Sequence, residues 1–67
     1  MKIITVNSWA ELPGIPGPQL YRPDFREMTG EQAAKEARLE TDYLPYGYSV
    51  AYFIQSMGVL FLFRSNS

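Results

Sequence analysis

The sequence predicts a small α+β domain, in which a three-stranded antiparallel sheet carries one main helix packed on one face. Two runs rich in aromatic and β-branched residues, 48–55 and 59–64, flank a break that contains Gly58, which is typical of a C-terminal β-hairpin. A capped, alanine-rich stretch over 29–41 has the spacing of a helix. A short apolar run at 2–6 favours a strand that pairs with one edge of the hairpin.

The hairpin can be divided into two faces, because side chains alternate between the faces of a strand. One face of its first strand is expected to carry Tyr48, Val50, Tyr52 and Ile54. The second strand is apolar on both faces until Arg64, and such a strand is normally covered on both faces. Either the rest of the chain covers the second face, or a face or edge of the sheet meets another protein.

Two capping boxes mark the places where helical turns begin. Ser8 and Glu11 have the spacing in which the serine caps the first turn and the glutamate reaches back to the cap amide. A proline two residues later limits this segment to about one turn. Thr29 and Gln32 repeat the pattern at the start of the longer helix, which is expected to run to Thr41.

We expect one domain over residues 1–67, with a connecting strap rich in proline and glycine over 13–28. Within the strap, 19–22 has the composition to add a few residues of strand. The apolar residues of the strap are candidates to cover the second face of the hairpin: Leu20, Tyr21 and Phe25.

The composition argues against most kinds of chemistry. Six basic and seven acidic side chains give a formal net charge of −1, so no clustered basic face is indicated for nucleic acid. The chain has neither histidine nor cysteine, which removes the usual ligands of tetrahedral zinc and the commonest general base near neutral pH. We therefore expect a protein without enzymatic activity, catalytic residues, cofactor or bound metal.

The hydropathy pattern gives no membrane segment. The longest apolar run, 59–63, is far below the roughly 20 residues that a membrane span needs. The N-terminal apolar run is too short for a signal peptide. These observations favour a cytoplasmic protein.

A chain of this length is expected to need a partner. It buries only about 60% of its unfolded surface, and without cysteines no disulfide adds stability. Oligomerisation or binding is the remaining means of stabilisation for a small fold. The candidate interface residues are large rigid rings and one arginine: Trp9, Tyr21, Arg22, Phe25, Tyr43, Tyr46 and Tyr48. The alternative for each ring is a place in the core of the domain.

The segment Thr29-Gly-Glu-Gln-Ala-Ala-Lys-Glu-Ala37, followed by Tyr48 to Arg64, is similar in size and layout to small phage-encoded inhibitor proteins, including anti-CRISPR proteins and host-takeover inhibitors. In several of them an Ala/Glu-rich helix runs into a C-terminal hairpin. The resemblance covers about half the chain. It implies a non-catalytic interaction module that blocks a functional surface of a host macromolecular complex, in the cytoplasm of the host cell. Many such inhibitors are strongly acidic and this chain is not, which argues against mimicry of DNA.

Two other functions are compatible with the same residues. The first is a small homodimeric structural domain, in which a second copy buries the spare face or edge of the hairpin. The second is a binder of single-stranded nucleic acid that stacks bases on the aromatic side chains of the sheet. Arg64 is the one basic residue of the hairpin, which weighs against the nucleic-acid binder.

Overall fold

The computed structural model describes residues 1–12 and 19–64. The elements are β1 (Lys2–Val6), a first 3₁₀ turn (Trp9–Glu11), β2 (Gln19–Arg22), α1 (Gly30–Glu36), a π-helical turn (Leu39–Tyr43), a second 3₁₀ turn (Leu44–Tyr46), β3 (Tyr48–Ile54) and β4 (Val59–Arg64). The part of the predicted strap at 13–18 lies outside the described residues. Within the described ranges, no helix has the length and apolar character needed to cross a membrane.

The four strands form one mixed sheet in the order β1-β3-β4-β2. β3 and β4 are the predicted antiparallel hairpin, and the N-terminal strand pairs with its β3 edge, as expected. The prediction of a three-stranded antiparallel sheet is wrong in two details. β1 runs parallel to β3, and β2 adds a fourth strand antiparallel to β4. A parallel pair needs a long crossover connection, and the segment between β1 and β3 supplies one that contains α1.

α1 packs on one face of the sheet, as predicted. The buried side chains on this side are Phe25, Ala33, Ala37, Leu39, Tyr48, Ala51, Phe53, Leu60 and Leu62. Gly30 allows the first turn of α1 to lie directly on β1, since a Cβ atom there would be 2.7 Å from Thr5 Oγ1 and 3.3 Å from Ile3 Cγ2.

The opposite face of the sheet holds a second apolar cluster. Its buried members are Ile54, Val59, Phe61 and Phe63, with the half-buried Val6, Leu12 and Tyr52 packed against them. Among the described residues, the first 3₁₀ turn and the residue after it lie over this face. All apolar side chains of β4 are therefore buried within a single chain, as expected for a strand that is apolar on both faces.

α1 begins at the predicted cap. The Gln32 amide donates to Thr29 Oγ1 at 3.1 Å, and the Thr29 amide donates to Gln32 Oε1 at 3.0 Å. These two hydrogen bonds complete the capping box and satisfy amides that the first turn leaves unpaired. The predicted extension to Thr41 is wrong, because Arg38 takes a left-handed conformation with φ 57° and ends the helix.

The break at Arg38 brings Leu39 into the core. On a continuous helix, at about 100° per residue, Leu39 would point roughly 200° away from the buried Ala37 and would face solvent. After the left-handed residue the chain enters the π-helical turn, and Leu39 is only 1% exposed. Burial of a leucine contributes about 1.5–3 kcal/mol, which offsets the ~1–2 kcal/mol of the left-handed backbone.

Arg38→Gly is expected to leave the free energy of unfolding unchanged or to raise it by up to about 1 kcal/mol. Glycine adopts a positive φ without Cβ strain and is the usual residue just after a helix end. The variant loses an exposed ion pair with Asp42, 3.6 Å between nitrogen and oxygen, and such pairs contribute little. Urea unfolding measures the change. Arg38→Ala loses the same ion pair but keeps Cβ, so an alanine variant more stable than the glycine variant would contradict strain at this position.

Tyr48 lies on the α1 side of the sheet, whereas simple alternation places it on the face of Val50. Tyr48 is opposite Arg64 and Val50 is opposite Phe63, so the pairing of β3 with β4 shifts register between them. Ser49 is the extra residue of this β-bulge. One inserted residue reverses the facing of every side chain before it, which corrects the predicted face for Tyr48.

Candidate interaction surface

Trp9, Phe61 and Tyr21 form an aromatic row across the sheet face opposite α1. The ring centroids of Trp9 and Phe61 are 4.8 Å apart with an interplanar angle of 80°. Those of Tyr21 and Phe61 are 5.2 Å apart with an angle of 63°. Both contacts are edge-to-face, a geometry worth about 0.5–1.5 kcal/mol beyond burial. The central ring thus holds the two outer rings in place.

Local hydrogen bonds and strand pairing position the outer rings. The Glu11 carboxylate accepts from the Asn7 amide at 2.7 Å and from the Ser8 amide at 3.0 Å, which holds the first 3₁₀ turn and hence Trp9. Tyr21 lies in β2 directly opposite the central ring of the row in the antiparallel register. Both outer rings are therefore attached to ordered backbone.

The outer rings of the row face solvent. Trp9 is 55% exposed and Tyr21 is 52% exposed, whereas Phe61 between them is 6% exposed. Half-buried Tyr52 extends the patch, with its ring centroid 5.5 Å from that of Phe63. Single exposed apolar side chains are ordinary on protein surfaces, but contiguous patches mark interaction sites. The row and Tyr52 form such a patch.

A groove of about 290 Å³ continues the surface beyond Tyr21. Asp24, Arg26 and Met57 are among the residues that line it, where the loop after β2 meets the turn of the hairpin. The apolar row is therefore bordered by a groove with charged and polar side chains. This is the usual anatomy of a protein interface, with an apolar centre and a polar rim.

The two arginines of the sheet lie on the other face, in an arginine–aromatic stack. The Arg22 guanidinium carbon is 6.0 Å from the ring centroid of Phe25 and 5.6 Å from that of Tyr43. Arg22 also donates a hydrogen bond to the Tyr43 hydroxyl. The Arg64 guanidinium carbon is 4.9 Å from the ring centroid of Tyr48, which in turn meets the Tyr43 ring edge-on at 6.2 Å. The stack stabilises one part of the α1-side core through cation–π contacts.

The predicted interface residues separate into three groups. Trp9 and Tyr21 are in the aromatic row; Arg22, Phe25, Tyr43 and Tyr48 are in the arginine–aromatic stack; and Tyr46 is 70% exposed in the second 3₁₀ turn. Phe25 and Tyr48 are core side chains, and Arg22 and Tyr43 are half-buried. The structure thus leaves Trp9, Tyr21 and Tyr46 as the exposed members.

The sequence does not identify Phe61 as the centre of a surface cluster. Alternation along β4 places Phe61 on the same face as Phe63. The alternation pattern does not indicate which other residues contact Phe61. Trp9 and Tyr21 are distant in sequence, and they reach Phe61 only through the position of the first 3₁₀ turn and the pairing of β2 with β4. The one available signal was the unusual ring content of β4 itself.

The part of the chain that the structure describes contains no group of three or more His, Cys, Asp or Glu side chains arranged to hold a metal ion. Comparisons with protein-family models, with curated proteins and with solved structures found no match for this chain.

Proposed function

We propose that this protein is a non-catalytic interaction module that works in the cytoplasm and blocks a functional surface of a host macromolecular complex, as a phage-type inhibitor does. The aromatic row is the observation that carries this proposal. Tryptophan and tyrosine are among the side chains most enriched at the energetically dominant centres of interfaces. Here two of them stand half exposed beside one buried ring.

Preorganisation of the row favours binding. Exposed side chains normally lose rotamer freedom when a partner orders them, at about 0.5–1.5 kcal/mol for each. The rings of Trp9 and Tyr21 already contact Phe61 edge-on, so part of that freedom is lost on folding. Burial of these rings by a partner therefore yields more net affinity than burial of two unsupported rings.

The charges around the row favour a protein partner over nucleic acid. Proteins that stack single-stranded bases on aromatic side chains frame them with lysine and arginine. The guanidinium groups of Arg22 and Arg64 instead lie over rings on the opposite face of the sheet. Arg26 lines the groove beside the row, but it shares that groove with Asp24. A base stacked on the row would therefore lack the charge of Arg22 and Arg64.

The spread of the exposed side chains favours a larger partner over a second copy. Besides the row, Met57 is exposed at the groove, and Tyr46 is exposed in the second 3₁₀ turn at the other end of β3. Stable interfaces bury about 800 Å² on each partner. A larger partner can contact the row, the groove and Tyr46 in one interface.

Combined replacement of Trp9 and Tyr21 by alanine is expected to abolish partner binding while the domain stays folded. Loss of one dominant ring weakens an interface by about 2 kcal/mol or more, about 30-fold in affinity. Affinity-tagged protein retains candidate partners from a bacterial lysate. The retained partner is then purified, its affinity is measured by calorimetry, and circular dichroism monitors the fold. Tyr46→Ala in the same assay is expected to weaken binding by a smaller factor.

Trp9→Phe with Tyr21→Phe is the matched control, because both positions keep an aromatic ring, and it should retain most of the affinity. Equal capture by wild type and by the double alanine variant would rule out the row. Light scattering at micromolar concentration is expected to show a monomer, and a dimer that the alanine variant dissociates would favour the homodimer instead. The captured complex should lose activity when one equivalent of this protein is added; full activity would contradict an inhibitor.

A further inference from the structure

The outer edge of β1 presents backbone groups that no described residue bonds. In a parallel pair, alternate residues of a strand direct both N–H and C=O at the neighbouring strand. The Val6 carbonyl accepts from the Gln55 amide at 3.0 Å, so the even-numbered residues of β1 bond to β3. The N–H and C=O groups of Ile3 and Thr5 therefore point away from the sheet. Thr5 is exposed and Ile3 is half-buried, so solvent reaches this edge.

A groove lies beside this edge, between β1 and α1. One part, about 410 Å³, is lined by three apolar residues, Ile3, Ala34 and Leu39, and by the charged residues Glu31, Lys35, Arg38 and Glu40. An adjoining part of about 570 Å³ shares Ile3 and Glu31 and extends to Thr5. The open backbone edge and a groove with apolar and charged lining residues thus run side by side.

We infer that the β1 edge and the adjoining groove bind an extended peptide segment of a partner protein, which adds to the sheet as a fifth strand next to β1. The peptide backbone bonds to Ile3 and Thr5, and its alternate side chains enter the groove. The apolar residues Ile3 and Ala34 next to the edge favour aliphatic side chains at those positions. This site lies on the edge farthest from β2 and is separate from the aromatic row.

Charge selects the remaining peptide positions. Lys2 is exposed at the start of β1, opposite Val50, and forms no ion pair with a described residue. A peptide side chain beside Lys2 lies on the face away from the groove, and opposite charges on neighbouring strands are favourable there. The preferred peptide therefore alternates aliphatic side chains toward α1 with acidic side chains toward Lys2.

Charge favours a segment of another protein over a second copy as the occupant. β1 itself reads KIITV and carries no acidic side chain. A second β1 paired edge to edge would therefore bring another lysine and no group of opposite charge for Lys2.

An acetylated and amidated hexapeptide of alternating valine and aspartate is the probe, titrated into ¹⁵N-labelled protein. The Ile3 and Thr5 amide resonances are expected to move downfield and to saturate by about 1 mM peptide, with hydrogen exchange slowed at least about tenfold. N-methylation of one alternate set of peptide nitrogens should abolish these shifts, and methylation of the other set should preserve them, because only one edge of the peptide bonds to β1. The double alanine variant of Trp9 and Tyr21 should bind the probe as wild type does. The experiment therefore tests the β1 site separately from the function proposed for the aromatic row.

Thr5→Pro removes an outward N–H and no bond to β3, so the variant should fold and lose the peptide shifts. Ile4→Pro is the matched control, because it removes an inward N–H and should lower the melting temperature. If Thr5→Pro does not fold, the two methylated peptides still decide the outcome. No shift of Ile3 and Thr5 at about 1 mM, shifts that survive both methylations, or concentration-dependent shifts without peptide would overturn the site.

Discussion

Replacement of Phe61 by alanine is expected to lower the free energy of unfolding by roughly 3–5 kcal/mol, a large share of the total stability of a domain this small. Phe61 is buried, pairs with Tyr21 on β2 and Tyr52 on β3, and contacts the ring of Trp9. Its removal takes apolar area out of the second cluster and leaves a cavity under both outer rings. The aromatic row would lose its centre together with the stability of the sheet.

Urea unfolding followed by fluorescence measures the Phe61 effect directly, since Trp9 is the sole tryptophan and contacts the substituted side chain. Phe61→Leu is the matched control. It keeps much of the apolar volume and should lower the free energy of unfolding by less than about 1.5 kcal/mol. An alanine variant that melts close to wild type would show that this ring does not support the sheet face.

Gly58→Ala is expected to lower the free energy of unfolding by roughly 2–5 kcal/mol, from two effects that add. The residue has φ 66°, and a Cβ atom would lie 2.6 Å from the Arg26 backbone nitrogen and 2.7 Å from its Cα. The loop that contains Arg26 is held close to Gly58, because the Phe25 amide donates to the Gly58 carbonyl at 2.9 Å and the Phe25 ring is part of the core. Left-handed strain of ~1–2 kcal/mol therefore adds to overpacking of about 1–3 kcal/mol.

Gly47→Ala separates these two contributions. Gly47 also has a positive φ, 96°, but the nearest atom to an added methyl group is Arg64 Cγ at 4.0 Å. Its replacement should therefore show backbone strain alone, about 1–2 kcal/mol. The difference between the two variants, measured by thermal and urea unfolding, reports the close approach at Arg26. Equal decreases in the free energy of unfolding would mean that a methyl group at position 58 does not clash with the Arg26 backbone.

The contact at Gly58 also matters for the candidate surface. The loop that it holds carries Asp24 and Arg26, which line the groove at the end of the aromatic row. Asp24 and Glu27 lie on either side of the buried Phe25 in this loop with φ 78° and 65°, a conformation that non-glycine residues adopt only when the surroundings hold them. The hairpin turn and the core together supply that support.

Much of the fold was predictable because the signals are local. The strand runs and the glycine break define the hairpin, and both observed strands lie within one residue of the predicted bounds. The cap at Thr29 depends on two side chains three residues apart. Trp9 is exposed, whereas a place at one end of the core was the favoured of its two predicted positions.

Four features could not be predicted from local signals: the parallel direction of β1, the end of α1 at Arg38, the bulge at Ser49 and the assembly of the aromatic row. Each depends on contacts with elements that are distant in sequence. Burial of Leu39 in the core outweighs another turn of helix, and the row forms only where Phe61 contacts rings from two other segments. Periodicity and capping describe a residue and its near neighbours, so they determined the elements of this protein. Burial against partners far along the chain is settled only when the whole sheet packs, so the surface on which its proposed function rests was decided by the tertiary structure.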